Sequence, residues 1–186
     1  FEDNDLADIV RDQMELMSYA ARGAGVELRL WVAPGDHTAS MDRPRVSRIV
    51  RNLLSNAVEH AQGRPVDVAV ASTGRTVGVV VRDYGVGLTK QQVDRVFDRF
   101  WRADPARART MGGTGLGLSI AREDAQLHDG ALEAWGLEGK GAAFRLMLPR
   151  TSRGLGIRPP VPLEIAEADF AELGERVEIA SPGVTS

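Results

Sequence analysis

Residues 45–61 constrain the fold more than any other stretch, because they predict one helix with two different faces. Apolar residues recur along it at steps of three and four, the spacing of a stripe that packs on a core. They are Val46, Ile49, Val50, Leu53, Leu54, Ala57, Val58 and Ala61. The opposite face carries Asn52, Asn56, Glu59 and His60, which are spaced to share one surface patch. Because asparagine forms helices poorly, two of them one turn apart suggest that another group holds their amides. The residues alone leave two interpretations open, a solvated face and a polar ligand or ion site.

Composition narrows the class of protein around this helix. A chain of 186 residues with 43% hydrophobic residues can form a folded domain with its own core. The net charge of -3 and the lack of a basic stripe with aromatics predict no nucleic-acid partner. The absence of cysteine excludes disulfides and thiolate chemistry. No apolar run is long enough to span a membrane, so we expect no membrane contact by this chain, which we interpret as a fragment of a longer protein.

Periodicity places the other elements in order along the chain. A helix is predicted over residues 6–22, with Asp5 as its N-cap, and a short helix near residues 93–97. A short extended segment is expected over residues 37–41, and Asp42 is placed to cap the central helix. Alternation or β-branched composition predicts strands at residues 26–32, 66–71, 75–83, 131–137 and 142–148.

Two glycine-rich segments carry further chemistry. The first, Asp83-Tyr84-Gly85-Val86-Gly87, puts a carboxylate at a strand end and lets the backbone approach a ligand closely. The second, residues 113–118, opens an apolar helix, where backbone N–H groups suit an anion such as phosphate. A long arginine-containing loop joins them, and such loops are usually functional. Both segments also allow a purely structural interpretation. The first would be a surface turn, and the second would be a glycine-rich start of a helix.

The order of four segments resembles the N, G1, F and G2 boxes of the catalytic and ATP-binding domain of sensor histidine kinases. They read NLLSNAVEH at 52–60, DYGVG at 83–87, FDRFWR at 97–102 and GGTGLGL at 112–118. Neither a dinucleotide-binding GxGxxG after the first strand nor a P-loop motif occurs. The resemblance covers roughly Leu6 to Pro149. It implies an α/β two-layer sandwich in which a mixed sheet of about five strands packs on three helices, with a mobile ATP lid.

The resemblance also implies roles for individual residues. Asn56 would hold the Mg²⁺ of ATP-Mg, with Asn52 helping from one turn away, since a neutral amide oxygen suits a hard cation whose charge the phosphates balance. Asp83 would accept a hydrogen bond from the adenine amino group. His60 stands where an aromatic ring often lies against the nucleotide.

A lid between Gly87 and Gly113 would close over the phosphates. Arg102, assigned to catalysis with Asn52 and Asn56, and Arg99 would be charge partners of the phosphates. Glycines beside the base and the residues of the second glycine segment would complete the nucleotide site. These are Gly85, Gly87, Gly113, Thr114, Gly115, Leu116 and Gly117.

Besides His60, two features depart from the family pattern. Glu59 stands where the family often has a phosphate-contacting lysine, and its carboxylate would repel phosphate unless it points away or arginines compensate. The second departure is the lack of an acceptor histidine, because His37, His60 and His128 do not lie in the expected context. We therefore interpret the chain as the ATP-binding part of a kinase.

The resemblance implies transfer of the γ-phosphoryl of ATP-Mg to a histidine on a separate domain. Asn52 favours phosphotransfer over hydrolysis, because hydrolytic relatives commonly carry a glutamate there and an amide is a poor base. A GHKL-type ATP hydrolase and a nucleotide-binding module without catalysis remain alternatives. The expected partners are the phosphoacceptor hairpin of the same protein, a homodimer when full-length, and a response regulator. The expected place is the cytoplasmic side of a membrane-anchored sensor.

Composition changes after Pro149, which predicts a domain over residues 1–150 and a separate tail over residues 151–186. The tail contains four prolines and an acidic stretch over residues 164–178, and it lies beyond the family pattern. Such a composition predicts a mostly disordered segment. The alternative is a short docked helix that would bury Leu163, Ile165, Phe170 and Leu173.

Overall fold

The computed structural model describes residues 1–104, 115–151, 153–156 and 158–180. The strands are β1 (Glu2–Asp5), β2 (Leu28–Val32), β3 (Thr38–Met41), β4 (Val66–Ser72), β5 (Thr76–Asp83), β6 (Ala131–Leu137), β7 (Gly141–Pro149) and β8 (Glu175–Val177). The α-helices of the described part are α1 (Leu6–Gly23), α2 (Arg43–His60), α3 (Lys90–Arg95), α4 (Gly117–Leu127) and α5 (Phe170–Leu173), with a 3₁₀ turn at Glu167–Asp169. None of these helices is both long enough and apolar enough to cross a membrane.

The main sheet has six strands in the order β6-β7-β5-β4-β2-β8. Its neighbours pair antiparallel except β2 and β4, which pair parallel, so the sheet is mixed as expected. The predicted α/β fold class is confirmed. The sixth strand, β8, comes from the tail and extends the sheet at its β2 edge. A separate antiparallel pair, β1 with β3, joins the N-terminus to the segment before α2.

Helix α2 lies at the centre of the helical layer, in contact with α1, α4 and β5. Its N-cap is Asp42, whose carboxylate accepts a hydrogen bond from the N–H of Arg45 at 3.0 Å. Pro44 fits the first turn, where a helix needs no N–H donor. The apolar stripe is fully buried from Val46 to Leu54, so the predicted packing face is confirmed. The polar face of α2 therefore points away from this core.

The alternation of strand β5 decides which face of the sheet each residue meets. Val77, Val79 and Val81 belong to the core shared with the helices. Val80 belongs to a second cluster on the opposite face, which we call the outer face. Because side chains alternate along a strand, Arg82 lies on the outer face and Asp83 returns to the helical side. The end of β5 therefore directs a carboxylate towards α2.

The tail differs from the expected disorder over residues 161–177. Val161, Ile165 and Phe170 are at most 5% exposed and pack on the outer face, and the Phe170 ring lies 5.3 Å from that of Trp31. We call residues 161–177 the strap. The physical reason is that the outer face is itself apolar. The free energy gained when apolar tail residues cover this face exceeds the tendency of the acidic tail to stay disordered. The domain boundary at residue 150 stays a prediction.

Candidate functional site

A cavity of about 330 Å³ lies between the polar face of α2, the end of β5 and the segment around residue 102. Its wall contains many of the residues that the sequence predicts for a ligand site. These are Asn52, Asn56, His60, Asp83, Gly87, Arg102, Gly115 and Gly117. Apolar side chains complete the wall, among them Leu88, Trp101 and Phe144. A concave, partly apolar site with a few polar groups is the usual form of a small-molecule site.

The two asparagines of α2 have different surroundings. The Nδ2 group of Asn52 donates a hydrogen bond to the carbonyl of Gly117 at 3.0 Å, so this side chain fastens the first turn of α4 to α2. The half-buried Asn56 lines the cavity, and its amide makes no hydrogen bond to another described residue. Asn56 is therefore available to a ligand or cation through both amide atoms, whereas Asn52 uses its Nδ2 donor for Gly117 and has its Oδ1 oxygen left for a cation.

Asp83 supplies a buried acceptor in the wall of the cavity. It is 1% exposed, and its carboxylate accepts a hydrogen bond from the N–H of Gly85 at 3.0 Å. Burial raises the pKa of Asp83, while hydrogen bonds from the backbone of Gly85 and Ala142 and the nearby charges of His60 and Arg82 act against this rise. The carboxylate is thus a fixed acceptor whose charged form is poorly solvated.

Gly85 and Gly87 each lie too close to another backbone segment to carry a side chain. A Cβ atom on Gly85 would lie 1.6 Å from the carbonyl oxygen of His60, so a glycine is required where the turn after β5 rests on the end of α2. Gly87 has a φ of +72°, and its Cβ would lie 2.0 Å from the carbonyl oxygen of Leu137. Gly85 does not line the cavity. Both glycines therefore allow close contact between backbone segments, and Gly87 also lines the cavity, where its predicted contact with a nucleotide stays a prediction.

Glu59 and Arg102 form an ion pair inside the cavity. Their carboxylate and guanidinium are 2.8 Å apart, and the side chains are 21% and 16% exposed. Arginine compensation, one of the two predicted solutions for Glu59, is the one that the structure adopts. Arg99 does not line the cavity, because it pairs with Glu123 on the surface of α4 and is 65% exposed. Its predicted contact with a ligand has no support in this geometry.

The second glycine segment joins the site from the start of α4. Gly115 has a φ of +72°, and its carbonyl accepts a hydrogen bond from the N–H of Phe100 at 3.0 Å, which ties two of the predicted boxes together. Gly117 lines the cavity, whereas Leu116 does not. The predicted residues Gly113 and Thr114 lie outside the described part of the chain.

Sequence reasoning missed several wall residues. Ser55, Ala142 and Phe144 line the cavity. The alternation of strand β7 indicates that Ala142 and Phe144 share one face, but it does not indicate that β7 lies next to β5. That neighbour relation depends on long-range pairing, which periodicity alone does not give.

A metal ion could bind at this site only together with a ligand that supplies negative charge. The described residues contain no group of three or more His, Asp or Glu side chains that could hold a metal ion. Asn56 offers one neutral amide oxygen, which suits Mg²⁺ when phosphate oxygens and water complete the shell. The donor set therefore fits a cation that arrives with a polyphosphate.

The chain is similar to a known family and to curated proteins over most of its length. Residues 41–152 match the family described as histidine kinase-, DNA gyrase B- and HSP90-like ATPases. The chain is 46% identical over 160 residues to the sensor histidine kinase MtrB of Mycolicibacterium paratuberculosis, covering 86% of this chain and 28% of that protein. It is 35% identical over 148 residues to the sensor-like histidine kinase SenX3 of Mycobacterium bovis, covering 79% and 36%. The chain therefore spans about a third or less of these relatives.

Solved structures show the same fold. The catalytic domain of the histidine kinase ThkA matches with a TM-score of 0.69 at 22% identity, covering 81% of this chain and 95% of that one. The mycobacterial sensor histidine kinase MprB matches with a TM-score of 0.66 at 27% identity, covering 80% and 96%. Both matches cover nearly all of the compared domain.

Proposed function

Because the chain belongs to the family of histidine kinase-, DNA gyrase B- and HSP90-like ATPases, we propose that it is the ATP-binding catalytic domain of a two-component sensor kinase. In this proposal the domain binds ATP-Mg and presents the γ-phosphoryl to a histidine on the helical hairpin of the same full-length protein. A response regulator would receive the phosphoryl group next. The domain would work on the cytoplasmic side of a membrane-anchored homodimer.

One observation carries the proposal: a single cavity brings the buried acceptor Asp83 together with the amide of Asn56 and the guanidinium of Arg102. An acceptor, a neutral oxygen ligand and a cation match the base, the metal and the phosphates of ATP-Mg in turn. The half-buried His60 lies in the same wall as Asp83, next to the end of β5 that we assign to the base.

The protein's own groups act by positioning and charge. Asp83 would select adenine through its amino group, and Asn56 would hold Mg²⁺, which draws charge from the transferred phosphoryl group. Arg102 would approach the phosphates once its bond to Glu59 loosens. Phosphoryl transfer needs little covalent help from the protein, so alignment and charge balance supply most of the rate.

ATP hydrolysis by the domain alone is less well supported. Asn52 is an amide, and its Nδ2 group is engaged by the carbonyl of Gly117, so it cannot activate water as a base. Glu59 is a carboxylate in the same cavity, but its Oε1 atom accepts a hydrogen bond from the Arg102 guanidinium at 2.8 Å, so it is not positioned to take a proton from water. Both observations favour transfer to a histidine.

A reconstituted transfer reaction tests the proposal. The chain is mixed with the separately produced acceptor hairpin of its full-length protein, γ-labelled ATP and Mg²⁺. We expect acid-labile phosphate on the hairpin, and none when Asn56 is changed to alanine. ATP affinity and phosphate release by the chain alone are measured in parallel. Steady release without labelling would favour the hydrolase, and tight ATP binding with neither product would favour a non-catalytic module.

A further inference from the structure

Arg82 is a buried cation on the outer face, directly behind the carboxylate that we assign to base recognition. It is 5% exposed, and its guanidinium carbon lies 4.6 Å from the ring centroid of Tyr84 and 4.7 Å from that of Trp135. Contacts of this kind hold a guanidinium in one orientation. No local pattern in the sequence marks Arg82, and the family resemblance leaves it without a role.

The Arg82 guanidinium binds the backbone at the closed end of the cavity. Its Nη1 group donates to the carbonyl of Asp83 and, at 3.4 Å, to that of Ala142, and its Nη2 group donates to the carbonyl of Lys140 at 2.9 Å. A Cβ on Gly141 would lie 2.1 Å from the Asp83 carbonyl oxygen, so these two backbone segments already touch. Arg82 thus clamps the residue that carries the carboxylate to the turn that precedes β7.

The same guanidinium binds the strap. Its Nε group donates to the carbonyl of Ile165 at 3.2 Å. All hydrogen bonds that Arg82 makes to described residues therefore go to backbone carbonyls, on the strap, at the end of β5 and in residues 140–142. Well-oriented hydrogen bonds to these carbonyls offset the cost of burying the Arg82 charge. The same hydrogen bonds hold the backbone segments that carry the carbonyls in place.

We propose that Arg82 is a positioning residue for base recognition: by fixing the backbone of Asp83 and residues 140–142, it sets the direction of the Asp83 carboxylate. The inference rests on the proposed function, because it assumes that Asp83 meets the base. It adds a determinant of nucleotide selectivity that does not touch the nucleotide.

Arg145 provides a matched control. It lies on the same face, is 8% exposed and also binds the strap, through the carbonyl of Val161 at 3.0 Å. Its remaining bonds go to the carboxylate of Glu133 and not to the end of β5. Loss of either arginine removes a buried cation and one bond to the strap. Only the loss of Arg82 releases the backbone beside Asp83.

The experiment compares Arg82→Met with Arg145→Met by titration with ATP-Mg and GTP-Mg and by thermal unfolding. We expect both variants to lower Tm. For Arg82→Met we expect ATP affinity to fall about ten-fold and the preference for ATP over GTP to shrink by a similar factor, as expected when an oriented hydrogen bond to the base is lost. For Arg145→Met, affinity and preference should stay within about two-fold of the starting protein, because its hydrogen bonds go to Glu133 and the strap and not to the backbone beside Asp83.

Arg82→Lys keeps the question answerable if Arg82→Met does not fold. Lysine retains the buried charge with fewer and differently directed donors, so we expect a folded protein with reduced ATP preference. A folded Arg82 variant with unchanged ATP affinity and unchanged ATP preference would overturn the positioning role, as would an equal loss in Arg145→Met. Failure of the unsubstituted chain to bind ATP would instead refute the proposed function, and the inference with it.

Discussion

Asp83, the residue that we propose for base recognition, is buried at a cost to the stability of the fold. Its pKa is raised by burial, so the folded state holds the proton more tightly than the unfolded chain does. The contribution of this proton to stability is fully present below the unfolded pKa of about 3.9 and is lost as the pH rises through the folded pKa. At neutral pH the buried carboxylate therefore destabilises the fold.

We accordingly predict that Asp83→Asn weakens ATP binding without weakening the fold. The asparagine oxygen can still accept the Gly85 N–H, but its amide would face the base amino group as a second donor. We expect affinity to fall at least about ten-fold, and Tm at pH 7 to equal or exceed that of the starting protein. The Tm difference should shrink as the pH is lowered. Titration calorimetry and thermal unfolding at several pH values measure both effects, and a lower Tm at pH 7 would contradict the reasoning.

The ion pair of Glu59 and Arg102 yields a second prediction. Changing Glu59 to glutamine removes a negative charge from the cavity and releases Arg102 for phosphate. A partly exposed pair is worth up to about 1 kcal/mol, so we expect ATP affinity to rise by up to about five-fold, more at low salt. Glu123→Gln is the matched control, because it breaks the exposed pair with Arg99 outside the cavity. If Glu59→Gln weakened ATP binding, the carboxylate would instead be holding Arg102 in its working position.

Some residues of the cavity region could be predicted from the sequence, and others could not. Asn56 and Asp83 were predictable because each breaks a local preference, an asparagine in mid-helix and a carboxylate beside glycines at a strand end. Arg82 was not predictable, because its partners lie 58, 60 and 83 residues away along the chain, apart from its neighbour Asp83. The backbone contacts of Gly85 and Gly87 were not predictable for the same reason, since they are made to residues distant along the chain.

At the element scale, the long helices followed from periodicity and capping residues, and the strap did not. Asp5 and Asp42 mark the starts of α1 and α2 by local chemistry that the sequence displays. The strap has weak local signals and forms because strand β8 pairs with β2, about 145 residues earlier, and because apolar side chains meet the outer face. Contacts between residues so far apart along the chain thus order a segment whose acidic composition predicts disorder.

Strap docking gives a prediction about the Phe170 ring. Phe170 is fully buried against the outer face, so Phe170→Ala should lower the free energy of unfolding by about 3–5 kcal/mol, limited by the free energy that docks the strap. Leu16→Ala is the control, since that side chain is 73% exposed and its loss should matter little. Denaturant unfolding measures the difference, and hydrogen exchange should show β8 losing protection first. Equal effects in the two variants would show that the strap adds no stability.

At the scale of the whole molecule, the sheet separates two layers that act on one site. Helix α2 supplies Asn52 and Asn56 from one face, and the strap reaches Arg82 from the other. Both layers converge on the end of β5, where Asp83 points one way and Arg82 the other. The ligand site and the folding core are therefore coupled, and ligand binding should appear in global stability.

We predict that the two asparagines differ in how they change that stability. ATP-Mg at about 100 times its Kd should stabilise the folded chain by about 2.7 kcal/mol, which corresponds to a rise in Tm of about 5–10 °C for a domain of this size. Asn56→Ala should leave Tm without ligand unchanged, because its amide binds no other described residue, and should abolish the Mg²⁺-dependent part of the rise. Asn52→Ala should lower Tm without ligand by the loss of its bond to Gly117, worth about 1 kcal/mol.

Thermal unfolding with ATP-Mg, with ATP and a chelator, and without nucleotide separates these effects. A Mg²⁺-dependent rise that survives Asn56→Ala would show that Asn56 is not the metal ligand.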